Sequence, residues 1–210
     1  MGRRATVVLL LAASLFLGLP AATARVIEGT GFGETLSGTP GPDQLYAEDG
    51  ADTLIGRAGN DFLEAGPGND RVHAGAGADL VLGGTGDDVI AADAGDDVVY
   101  AGAGDDLIKG GRGADMLLGQ VGNDTILGGP GPDRLFAGLD RVTLSGGGGD
   151  DILAAFGGEA VVSGNHGNDR VEAQDGERDV IDCGPGRDVA LVDRFDIVGR
   201  CELIRRTRRP

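Results

Sequence analysis

Aspartate recurs in this chain on a nine-residue ruler. Asp43, Asp52, Asp61, Asp70, Asp79, Asp88, Asp97, Asp106, Asp115, Asp124, Asp133, Asp151 and Asp169 all stand on it, with Glu34 at its start, and only Val142 and Ala160 break the column. Gly stands two residues before every register except those at Glu34 and Val142, where Phe32 and Asp140 are found. Carboxylates in such number, each beside a glycine whose carbonyl lies close, are donors for a hard divalent cation. Calcium takes roughly six to eight oxygen ligands and needs neither nitrogen nor sulfur.

The same ruler carries a core. Two residues after each register stands an aliphatic residue without exception, from Leu36 and Leu45 through Ile90 and Ile108 to Val162 and Val171. The unit reads Gly-x-Gly-x-Asp-x-aliphatic-x, as in Gly84-Thr85-Gly86-Asp87-Asp88-Val89-Ile90. One inward aliphatic between two outward neighbours is a minimal three-residue strand, and the glycine-rich stretch before it is a turn. Strands that short gain stability only by stacking parallel on copies of themselves, as in a solenoid. Phase-locking over such a length is a structural repeat and not a compositional bias.

The unit resembles the nonapeptide of the repeats-in-toxin, or haemolysin-type calcium-binding, family over residues 29–172. The resemblance implies an all-β fold, a parallel β-roll of two sheets in which two nonapeptides make one coil of about 18 residues. It also implies Ca²⁺ held between coils along each edge, so the thirteen register aspartates named above are the expected metal ligands, with carbonyl oxygens of flanking glycines. Splitting the ruler by eighteen puts Asp43, Asp61, Asp79, Asp97, Asp115, Asp133, Asp151 and Asp169 on one unbroken edge. The other edge carries Glu34, Asp52, Asp70, Asp88, Asp106 and Asp124 and is expected to stop there, for about eleven ions at most.

Composition bounds the alternatives. The 210 residues include 41 Gly and no Trp, and 34 acidic against 18 basic residues give a formal charge of −16. That sign excludes a nucleic-acid partner, because phosphate binding needs the opposite one. Arg3 and Arg4 precede the apolar run from Val7 to Leu19, and Ala22-Thr23-Ala24 has the form of a cleavage site, so residues 1–24 read as a signal peptide. Its removal takes away two arginines and moves the charge to −18. No stretch is long enough for a membrane span. An extracellular location follows, free or at a cell surface, and there Cys183 and Cys201, the only cysteines, are expected to be bridged.

Residues 25–172 are thus expected to form the roll and residues 173–210 a disulfide-closed cap with a basic tail of Arg205, Arg206, Arg208 and Arg209. After residue 172 the ruler slips by one, with Asp179 ten beyond Asp169. His73 and His166 lie in unrelated surroundings and read as outward, solvated imidazoles. Neither H-E-x-x-H nor G-x-S-x-G occurs, so a non-catalytic protein is expected.

Outward positions on the strands after the unbroken edge include Phe62, Leu80, Leu82, Val98, Tyr100, Met116, Leu118, Phe136 and Ile152, an apolar stripe. Two functional readings stand: a secreted calcium-binding module that folds on Ca²⁺, and a self-associating structural or adhesion protein that uses the apolar sheet. The stripe would serve a protein partner or a second copy.

Overall fold

A computed structural model of the chain describes residues 24–138 and 140–206. All of the expected leader but Ala24 lies outside the described residues, as do Arg208 and Arg209. Among the described residues the regular structure is β throughout, twenty-one strands and no helix. No helix is therefore long and apolar enough to cross a membrane.

Successive strands alternate between two parallel sheets of eleven and ten strands. In the larger sheet Leu63 pairs with Val81, Val81 with Val99, and Val99 with Leu117. In the smaller one Leu54 pairs with Val72, Val72 with Ile90, and Ile90 with Ile108. Every one of these steps is eighteen residues, so one coil holds two nine-residue units, as the resemblance implies. All sixteen register-plus-two aliphatics are buried, from Leu36 to Val171. They stack between the sheets as the column of large side chains in the core, which explains how a chain without Trp builds an interior.

The strands are longer than three residues in the middle of the stack. Each of the nine from Thr53–Ala58 to Thr125–Pro130 has six residues. The cause is a second inward column, four residues after each register, that holds only Gly or Ala from Gly38 to Ala173. In Thr53–Ala58 both Leu54 and Gly56 face in, so the period-two pattern continues past the aliphatic residue.

The stack also continues beyond residue 172. Val180–Asp182 and Ile197–Gly199 extend the smaller sheet, and Val189–Val192 and Leu203–Arg206 the larger. The one-residue slip is absorbed in the turn between Ala173 and Asp179. Cys183 and Cys201 are eighteen residues apart and form a disulfide with Cα atoms 5.1 Å apart, a covalent tie between neighbouring coils near the C-terminus.

Candidate metal centre

Each register aspartate reaches along its edge to the coil before it. On one edge the Oδ1 of Asp61, Asp79, Asp97, Asp115, Asp133, Asp151 and Asp169 accepts the backbone N–H of the register residue eighteen earlier, at 2.7–3.0 Å. On the other edge Asp52, Asp70, Asp88, Asp106 and Asp124 do the same at 2.6–3.0 Å. The structure therefore assembles the expected ligands as two columns with one carboxylate per coil.

The second oxygen is what makes these columns unusual. Oδ2 is buried with no hydrogen-bond partner in Asp52, Asp61, Asp70, Asp79, Asp88, Asp97, Asp106, Asp115, Asp124, Asp133, Asp151 and Asp169. The residues themselves are only 1–3 % exposed. A buried carboxylate oxygen without a donor costs free energy, so a column of them calls for a positive ligand.

The free oxygen converges with main-chain carbonyls on the inward small residue five positions before it. A Cβ placed on Gly56 would lie 2.6 Å from Asp61 Oδ2, and one on Gly83 would lie 2.7 Å from Asp88 Oδ2. Main-chain carbonyls face the same spots: Ala74 O at Gly56, Ala101 O at Gly83, and Gly146 O at Gly128 next to Asp133 Oδ2. Among the described residues no three acidic, His or Cys side chains converge on one point. A cation held here would take carboxylate oxygen from the column and the rest from the main chain, an all-oxygen set that fits calcium.

Burial dominates the electrostatics. Desolvation pushes Asp88, Asp97 and Asp151 up to about 7 and Asp61, Asp106, Asp124 and Asp133 up to about 6, against an ordinary 3.8. The N–H bond to the preceding coil opposes this, and neighbouring carboxylates add to it. Without a cation these groups resist ionising.

Asp43 and Glu34 differ from the rest. Thr39 donates both its backbone N–H and its hydroxyl to Asp43 Oδ2, and Thr30 gives the same pair to the Glu34 carboxylate. Both columns are thus capped by threonine at their N-terminal ends. The sequence reading missed these caps, although Thr four residues before the register occurs only there.

The second column does not stop at Asp124. After the gap at Val142 and Ala160 it resumes, with Asp179 Oδ1 accepting from Ala160 N at 2.8 Å and Asp196 Oδ1 from Asp179 N at 3.2 Å. The unbroken column also runs on, through Asp188 Oδ1 on Asp169 N to Glu202 Oε2 on Asp188 N. What ends at Asp124 is the run of carboxylates on adjacent coils; the column itself resumes at Asp179. The one-residue slip displaces Asp179 and Asp188 from a strict nine-residue count, whereas Asp196 falls back on it because the coil from Asp179 is one residue shorter. His73 faces outward, its imidazole 3.8 Å from the exposed Asp93 carboxylate, and takes no part in either column.

The RTX calcium-binding nonapeptide repeat model, built of four copies, matches residues 28–63, 55–90, 64–99, 92–126 and 127–158. The chain belongs to the RTX calcium-binding nonapeptide repeat family. Those RTX matches take in the register from Glu34 to Asp151 and stop short of Asp169 and the three coupled aspartates after it. No curated protein matches the chain.

Proposed function

We propose that this chain is an exported, non-catalytic module that takes up several calcium ions along its two edges and folds as it does so. The column of buried, unpartnered Oδ2 atoms carries the reading. The proposed ligands are Asp52, Asp61, Asp70, Asp79, Asp88, Asp97, Asp106, Asp115, Asp124, Asp133, Asp151, Asp169 and Asp188 with neighbouring carbonyls, and Asp43 closes the first coil. When bound, calcium supplies positive charge and coordination bonds between successive coils.

Carboxylates one coil apart, at about 5 Å, repel by roughly 3 kcal/mol per pair at an effective dielectric near 20. Over two columns that repulsion opposes stacking in the ionised chain, so folding and ion uptake are coupled. The leader-like residues 1–24 and the Cys183–Cys201 bridge support an oxidising, calcium-rich location outside the cytoplasm. The folded roll then presents the outer face of its larger sheet to a protein partner.

Equilibrium dialysis against calcium tests the stoichiometry. Free Oδ2 atoms on adjacent coils leave seven gaps on the longer column, from Asp61 to Asp188, and four on the other, from Asp52 to Asp124. Several ions per chain, up to about eleven, are expected. Binding of one ion or none would remove the reading.

A further inference from the structure

We propose that the outer face of the eleven-stranded sheet is the interface of a two-fold symmetric dimer with a second copy of this chain. The proposal rests on the reading above, because the face exists only once the coils are stacked. Two outward columns run along it. In the first, Leu80 pairs with Val98 and Val98 with Met116; in the second, Leu82 pairs with Tyr100 and Tyr100 with Leu118. These six side chains form an uncharged block three coils long on a protein of formal charge −16. The smaller sheet has apolar residues outside as well, such as Ile55, Leu107 and Leu127. There Arg71, His73 and Lys109 interrupt them, and the exposed run Val161, Val180 and Ile197 lies beside the charged side chains of Arg141, Glu159 and Arg178.

What surrounds the block identifies the occupant. One coil before it stand Phe62 and Glu64, and one coil after it stand Arg134 and Phe136, paired in register with the block. Glu64 and Arg134 are exposed. The surface is therefore acidic at one end, basic at the other and uncharged between, with one aromatic ring at each end.

Such a face complements itself under a two-fold axis. If the axis lies in the interface, parallel to the strands and over Val98 and Tyr100, each column meets its own reversed copy. Leu80 meets Met116 of the second copy, Leu82 meets Leu118 of the second copy, and Tyr100 meets Tyr100 of the second copy. Arg134 of the second copy lands on the Phe62 ring and beside Glu64, where opposite charges and the aromatic face both favour it. Turning the axis along the stacking direction sets Glu64 against Phe62 and Arg134 against Phe136, and neither charge gains a partner. An anionic lipid surface is disfavoured by the net charge, and opposite charges at equal distances from the centre are what a second copy turned about that axis would match.

The block and its two flanking coils span about five strand spacings, roughly 24 Å by 12 Å. That area is well below the roughly 800 Å² per partner of a stable complex, so the dimer is weak and exchanges with monomer.

Sedimentation equilibrium of the calcium-loaded chain, with far-UV circular dichroism on the same samples, tests this. A monomer–dimer equilibrium is expected, weakened about fivefold or more by Glu64→Arg or by Arg134→Glu and restored to near the wild-type Kd by the double exchange. Tyr100→Lys, which sets two ammonium groups across the axis, should give a monomer with an unchanged β-spectrum. A folded wild type that stays monomeric into the hundreds of micromolar overturns the interface and leaves the calcium reading standing. So does a double exchange that fails to restore association. β-structure and dimer that both persist in chelator support the interface and overturn calcium-coupled folding.

Discussion

Asp97 and Glu34 stand on the same nine-residue ruler, yet the structure gives them different work. Asp97 Oδ2 is buried without a partner, whereas both Glu34 oxygens are held by Thr30. Asp97→Ala should therefore raise the calcium concentration needed for folding by about tenfold, the loss of one carboxylate ligand from two adjoining sites. Glu34→Ala should shift it by less than about twofold, since a threonine-capped end contributes little to ion binding. A calcium titration of the two variants followed by intrinsic tyrosine emission or circular dichroism checks this, and equal midpoints would contradict it. Protonation offers a second handle. Burial raises Asp88, Asp97 and Asp151 to about 7 and Asp61, Asp106, Asp124 and Asp133 to about 6, so the ion-free folded chain binds more protons than the unfolded one. Stability from these groups is complete below their unfolded pKa of about 4 and is lost as pH rises through roughly 6 to 7. Calcium-stripped protein should accordingly gain β-structure when acidified from about pH 8 to about pH 5, and a spectrum indifferent to pH would contradict the burial of the carboxylates. The register aspartates were legible because their period is strict. The threonine caps and the Gly/Ala column were visible in the same sequence but lie outside the repeat unit as first read.

At the scale of the strands, the break at Val142 and Ala160 has a physical form. Val142 pairs with Ala160 inside the smaller sheet, and the strands Val142–Gly148 and Ala160–His166 each begin at that residue and run to seven residues. Both side chains are buried, so apolar contact replaces the carboxylate column for two coils. Just outside, Arg141 and Glu159 form an ion pair of 2.9 Å across the same two coils. A protein side-chain pair thus takes over a cross-coil link at the place where the carboxylates are missing. Val142→Asp with Ala160→Asp should reconnect Asp124 to Asp179 and raise the ions bound per chain by up to about three, as counted by equilibrium dialysis. An unchanged count would mean that the column does not define the sites. The break itself was readable from residue types. Strand length was not, because it depends on Gly56 and its equivalents facing inward, and a glycine carries no hydropathy signal.

At the scale of the molecule, the eighteen-residue coil, the parallel pairing and the two sheets all follow from one phase relation among Asp, Gly and aliphatic residues. That relation was strong enough to read without coordinates. The continuation of the stack through Leu203–Arg206 was not, since an extra residue before Asp179 shifts the phase and the coils after it shorten, Val180 pairing with Ile197 and Val189 with Leu203, while the last strand is exposed throughout. The disulfide joins neighbouring coils, Cys183 following Asp182 and Cys201 lying two residues after its strand partner Gly199. Calcium-coupled folding is proposed from two columns of buried carboxylate oxygens without donors, and far-UV circular dichroism of calcium-stripped protein near pH 7.5 tests it most directly. The account predicts little β-structure in chelator and a single cooperative gain of it at roughly 10⁻⁴ to 10⁻³ M calcium, with magnesium a poor substitute. A full β-spectrum in excess chelator at that pH would contradict it.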